Sequence, residues 1–79
     1  MKRHKLTPGI AFGQVLREFR KERKLSQEKL GFESGLDRTF ISHIERGQKQ
    51  PTLLTIFQLS KALKISPTLF IASVEEKIR

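Results

Sequence analysis

The sequence predicts an all-α fold of five short helices, and three observations lead there. Apolar residues recur at the three- and four-residue spacing of a helix face, and no stretch alternates apolar and polar residues as a half-buried strand does. A side chain able to cap a helix start precedes each apolar run, at Thr7, Ser26, Asp37, Thr52 and Ser66. The segments between runs are short and polar, with no internal repeat and no low-complexity tract. At 79 residues the chain makes one domain, near the lower limit for folding on a hydrophobic core alone.

Residues 1–7 carry Lys2, Arg3, His4 and Lys5 with little to pack, and are expected to form a basic arm ahead of the domain at 8–79. Such an arm either reaches a phosphate backbone or minor groove or is simply a solvated terminus. Thr7 caps and Pro8 opens the first helix, which is expected over about residues 10–24. Its stripe of Phe12, Val15, Leu16 and Phe19 faces the core, and most of its charged residues form a solvated face. A second helix runs over 27–34 behind Ser26, and a tight turn follows at Ser34-Gly35. Asp37 then caps a third helix from Arg38 that closes at Gly47, a residue free to take the left-handed conformation. After a polar loop, Thr52 starts a fourth helix over about 53–64, in which Leu54, Ile56, Phe57, Leu59, Ala62 and Leu63 make a broad apolar face with Leu53 and Phe57 at its edge. Ser66-Pro67 opens the last helix, through Leu69, Phe70, Ile71 and Val74 toward Ile78.

Composition narrows the function. A net charge of +8 and a pI near 10.5 attract polyanions, nucleic acid first and anionic membrane second. The chain has no cysteine, its two histidines stand far apart without a carboxylate cluster, and no run of about 20 apolar residues could span a bilayer. No metal, cofactor or membrane is expected, and the expected location is the cytoplasm. An enzyme is disfavoured: there is no phosphate loop of the Walker kind, no paired carboxylates in a plausible pocket and no histidine with a nucleophile at a motif spacing.

The stretch from Gln27 to Arg46 organises the chain. Leu30, Leu36, Phe40, Ile41 and Ile44 can pack inward as one unit, leaving Arg38, Thr39, Ser42, His43 and Arg46 on the outward side of the third helix. Phe40 reads as core rather than as a base-stacking residue. A helix presenting such a face suits the major groove, where the planar fork of arginine matches guanine O6 and N7. Arg38, near the helix start, is the first candidate for that contact; Thr39, Ser42, His43 and Arg46 could reach adjacent bases. Gln27, at the start of the second helix, can offer its amide and free backbone N–H groups to a phosphate. Its simpler role would be ordinary capping.

This pattern resembles the helix-turn-helix of the lambda repressor and Cro family, also called the XRE family. Gln27 opens the motif, Gly35 occupies the turn, Ile41 and Ile44 stand at its branched core positions, and Ile44-Glu45-Arg46-Gly47 matches its IERG ending. The segment from Leu36 to Ser42 is similar to controller proteins of restriction-modification systems. Gly31 departs from the family's usual alanine, supplying a small residue where two helices cross at a cost of about 1 kcal/mol in helix propensity.

The resemblance implies a lambda-repressor-like domain in which Arg20 pairs with Glu45, and in which Gln48, Lys49, Gln50 and Thr52 face the phosphate backbone beside the fourth helix. It also implies a homodimer, because one recognition helix covers few base pairs and two set about 34 Å apart read a palindrome. The last helix has apolar residues to spare, so Leu69, Phe70, Ile71, Val74 and Ile78 are the expected dimer surface. The expected function is a homodimeric regulator of transcription on double-stranded DNA at a pseudo-palindromic operator, its own promoter included, with RNA polymerase as a further contact. Controller, phage-type repressor and plasmid regulator stay open, as does the sense of regulation. The alternative is an antitoxin-type module whose last helix binds another protein.

Overall fold

The computed structural model describes residues 6–79 and contains five helices: α1 (Pro8–Glu22), α2 (Gln27–Ser34), α3 (Arg38–Glu45), α4 (Leu53–Leu63) and α5 (Pro67–Ile78). The expected arm residues Lys2, Arg3, His4 and Lys5 lie outside the described part of the chain. Each helix begins with its side-chain cap. Thr7 accepts from the Ile10 N–H, Ser26 from Lys29, Asp37 from Thr39, Thr52 from Thr55 and Ser66 from Leu69. These bonds satisfy donors that the first turn of a helix leaves free.

The first helix starts at Pro8 behind its Thr7 cap, as the sequence predicts, and differs from its expected span at the far end. It stops at Glu22, two residues early, because Lys24 turns left-handed at φ +58°. Four helix ends share this closure. Lys24, Gly35, Gly47 and Lys64 all have positive φ, and the next residue's N–H returns to a carbonyl five residues back: Leu25 to Arg20, Leu36 to Gly31, Gln48 to His43 and Ile65 to Ser60. Leu25, Leu36 and Ile65 then tuck against the core.

The core sits between α1, α3, α4 and α5, with Leu30 of α2 sealing it. Phe70 of α5 is fully buried, stacked on Phe12 with ring centroids 4.5 Å apart and edge-on to Phe19 at 5.4 Å. Val74 is buried one turn further on, and Lys77 pairs with Glu18 at 2.8 Å, fastening α5 along α1. Phe70 and Val74 therefore hold the last helix to its own domain and are not dimer surface, a correction forced by the aromatic stack. Leu69 and Ile71 of the expected surface do face solvent, while Ile78 is half-buried against the core.

A second correction concerns α4. Leu54 was expected on the inward face but is 70% exposed, along with Leu53 and Phe57. Thr55, Leu59, Ser60 and Leu63 occupy the inward side instead. The apolar residues of α4 spread over more than one side of the helix, so their spacing alone does not fix which side packs inward.

Two glycines set how the motif is assembled. A Cβ on Gly13 of α1 would lie 2.2 Å from the Ile44 carbonyl oxygen and 2.9 Å from that of Glu45, so α1 rests directly on the backbone of the last turn of α3. On Gly31 of α2 it would lie 2.7 Å from the Leu36 carbonyl oxygen. The family's alanine would press on the turn here, so this glycine is required by contact.

Candidate nucleic-acid interface

Helix α3 has eight residues and is about 12 Å long, close to the width of a DNA major groove. Ile41 and Ile44 are fully buried and Phe40 packs half-buried against the core, which fixes the rotation of the helix about its axis. Its other side carries the five candidate base readers. Arg38, Thr39 and Arg46 are exposed; Ser42 and His43 are half-buried on the same surface. The Asp37 carboxylate caps the start of the helix through the Thr39 N–H at 3.2 Å, holding Arg38 at the leading edge.

The loop after α3 folds back on it, with the N–H groups of Gln48 and Lys49 donating to the His43 carbonyl at 2.9 and 3.3 Å. Gln48, Lys49 and Gln50 are exposed there, next to the start of α4. Gln50 also covers Gly9 at the start of α1. The Thr52 hydroxyl is occupied by capping, accepting from the Thr55 N–H at 3.1 Å and lying 3.0 Å from the Thr55 hydroxyl. Among the described residues, three ion pairs form and none involves Arg38, Arg46 or Lys49. That side of the molecule thus presents cationic groups to solvent.

Behind this face lies a buried polar centre. Arg20 donates from Nε to Glu45 Oε2 at 2.6 Å and from Nη2 to Oε1 at 3.0 Å, and its Nη1 reaches the Leu25 carbonyl at 2.8 Å. A forked pair of this kind fixes direction as well as distance. Desolvation offsets much of its attraction, but removing one partner would strand the other charge, a loss of about 3–5 kcal/mol. Gln27, expected at a phosphate or as an ordinary cap, joins this centre by donating from Nε2 to Glu45 Oε1 at 3.0 Å.

Three features of this region carry little or no signal in the sequence. Gly13 carried a weak signal, since glycine inside a helix pattern suggests a close approach. The Gln27–Glu45 bond spans 18 residues and depends on helix crossing angles, so no local pattern announces it. Phe32 stands 83% exposed on α2 with the Lys29 ammonium 5.9 Å from its ring centroid, and the sequence offered no reason to single it out.

No cluster of His, Asp or Glu able to hold a metal occurs among the described residues, and none of their helices is long and apolar enough to cross a membrane. A compact helical domain with a braced polar helix on one cationic side defines a DNA-binding module of the helix-turn-helix class.

Comparison with known proteins gives the same class. The family model HTH_3, helix-turn-helix, matches residues 16–70. Control protein C.BamHI of Bacillus amyloliquefaciens is 48% identical over 59 residues, covering 73% of each chain. The crystal structure of the restriction-modification controller C.AhdI from Aeromonas hydrophila superposes with a TM-score of 0.75 at 48% identity, over 77% of this chain and 92% of that one. Wild-type controller C.Esp1396I gives a TM-score of 0.84 at 30% identity, over 92% and 94%. The chain belongs to the helix-turn-helix family HTH_3, the XRE family of DNA-binding regulators, and is homologous to restriction-modification controller proteins. The family is one of regulators, not of enzymes.

Proposed function

We propose that the chain is a homodimeric, sequence-specific transcriptional regulator that reads a short pseudo-palindromic operator through α3. The observation that carries this reading is the exposed, unpaired polar face of Arg38, Thr39 and Arg46 on a helix locked by its own buried side. Arg38 takes a guanine edge in the major groove. Thr39, Ser42, His43 and Arg46 contact neighbouring bases. Gln27, Gln48, Lys49, Gln50 and Thr52 face the phosphates on either side, supplying most of the affinity but no sequence information.

The dimer surface is the apolar face shared by α4 and α5. Leu53 and Phe57 of α4 stand beside Ile71 of α5 across an open groove, and Leu54 and Leu69 of the same two helices are exposed as well. So many large apolar residues on a small domain mark an interaction surface. Joining two copies there gives each a partner helix one turn of DNA away. The kinship with controller proteins supports a role in timing a restriction-modification system, with the operator at the chain's own promoter and RNA polymerase as the neighbour it helps or blocks. The cytoplasm, where such DNA resides, is the place of action.

The same apolar groove is the one observation that favours a partner-binding, antitoxin-like module. Arg38→Ala tests the base-reading role when its binding is measured on a duplex enriched from a random pool and on random duplex. A base reader loses roughly 10–100-fold on the enriched duplex, corresponding to about 1–3 kcal/mol, and little on random DNA. Equal losses would reduce Arg38 to a phosphate contact.

A further inference from the structure

One buried carboxylate joins α1, α2 and α3. The Glu45 side chain, only 2% exposed, ends α3 and receives three hydrogen bonds, two from Arg20 of α1 and one from Gln27 at the start of α2. Through its remaining nitrogen Arg20 also grips the Leu25 carbonyl in the α1–α2 connection. Gly13, seven residues before Arg20 and so on the same side of α1, presses on the backbone of Ile44 and Glu45. The last turn of α3 is therefore held by α1 at two levels and by α2 at a third point.

The third point differs in kind from the other two. The guanidinium already neutralises Glu45 with a forked pair, so Gln27 is not needed to balance its charge. Gln27 is half-buried, and its amide keeps one N–H and a carbonyl oxygen for other contacts. We infer that Gln27 is a positioning residue for base reading. Braced by Glu45, its amide fixes the spacing between the phosphate seat at the start of α2 and the base-reading face of α3, so that backbone and base contacts engage in one register. The inference rests on the proposed reading of DNA by α3 and adds that discrimination depends on a bond that touches no base.

The consequence is specific. Loss of the brace leaves phosphate contacts available to any duplex, but lets α3 sit at more than one offset from them. Random DNA has no preferred offset to lose, whereas the operator does.

The test compares the full chain with Gln27→Met, which keeps length and helix propensity without a donor, and with Gln27→Glu, which keeps the shape but sets a charge against Glu45. Dissociation constants are measured on the duplex enriched by the wild type and on random duplex, together with thermal midpoints and backbone amide spectra of the DNA-free proteins. The expected result is an operator-to-random ratio about tenfold smaller in both variants, because only the operator loses a preferred register. Gln27→Met should lower the midpoint by about 5–10 °C, no more than this one bond accounts for, and its amide shifts should change through residues 38–46. Equal weakening on both duplexes would make Gln27 a phosphate contact alone. A lowered midpoint with an unchanged ratio would make it a structural cap alone, and unchanged amides in α3 would remove the brace. Each of these overturns the inference while leaving the regulator intact. A wild type that enriches no duplex would instead overturn the proposed function and this inference with it.

Discussion

Gly13 decides how closely α1 lies on the recognition helix. By helix propensity alone, Gly13→Ala should stabilise the protein by about 1 kcal/mol. Contact argues the other way, because the new Cβ would fall 2.2 Å from the Ile44 carbonyl oxygen, where backbone and not a flexible side chain must yield. Overpacking of this kind costs about 1–3 kcal/mol, and a clash with backbone belongs at the upper end. The expected net effect is a thermal midpoint lower by about 5–15 °C, followed by circular dichroism; a raised midpoint would refute the close approach. At this scale the sequence was legible on the outward side of α3, where Arg38, Thr39 and Arg46 are exposed as a polar helical stripe should be. It was silent where a residue's role is set by its neighbour across the fold. Gln27 could be placed at the start of α2, but its bond to Glu45 follows from the angle between α2 and α3. Gly31 illustrates the same limit: the need for a small residue was legible, and the Leu36 carbonyl that demands it was not.

Helix ends show most clearly what local chemistry dictates. All five starts were legible because capping is a local bond between a side chain and an N–H two or three residues on. Two of the four left-handed closures were legible as well, at Gly35 and Gly47. The other two fall on Lys24 and Lys64, residues with no preference for positive φ, and are imposed by Leu25 and Ile65 seeking the core. A non-glycine residue in that conformation costs roughly 1–2 kcal/mol. Lys64 is exposed, and it enters bonds through its backbone, the carbonyl accepting from Arg23 at 3.3 Å. Lys64→Gly should therefore stabilise the domain by about 0.5–1 kcal/mol after the greater freedom of glycine in the unfolded chain is subtracted. Urea titration should show a higher midpoint with an unchanged slope; a lower midpoint would mean that the lysine side chain contributes packing that its exposure does not suggest.

The whole molecule divides its surface between a cationic side built on α3 and an apolar one built on α4 and α5. That α4 and α5 would be rich in apolar residues was legible, and so was the exposure of Leu69 and Ile71, but not that of Leu54 nor the burial of Phe70 and Val74. The outcome turns on Phe70, whose stack with Phe12 and Phe19 rolls α5 so that Ile71 and Leu69 emerge and Val74 is buried. Charge placed on Val74 would unfold the domain, whereas Phe57→Glu with Ile71→Glu tests the face itself, since these side chains are 53% and 46% exposed. Sedimentation should find the double variant folded and monomeric at concentrations where the wild type is dimeric, with operator binding weakened at least 100-fold; an unchanged dimer mass would place the interface elsewhere. The central claim is that two copies of α3 read sequence together. Its most direct test is selection by the purified protein from a pool of random duplexes at near-physiological salt, followed by sequencing. The account predicts a two-fold symmetric site with half-site centres about one helical turn apart. Retention of duplexes without any shared sequence would contradict it, leaving the net charge of +8 to act through non-specific attraction alone.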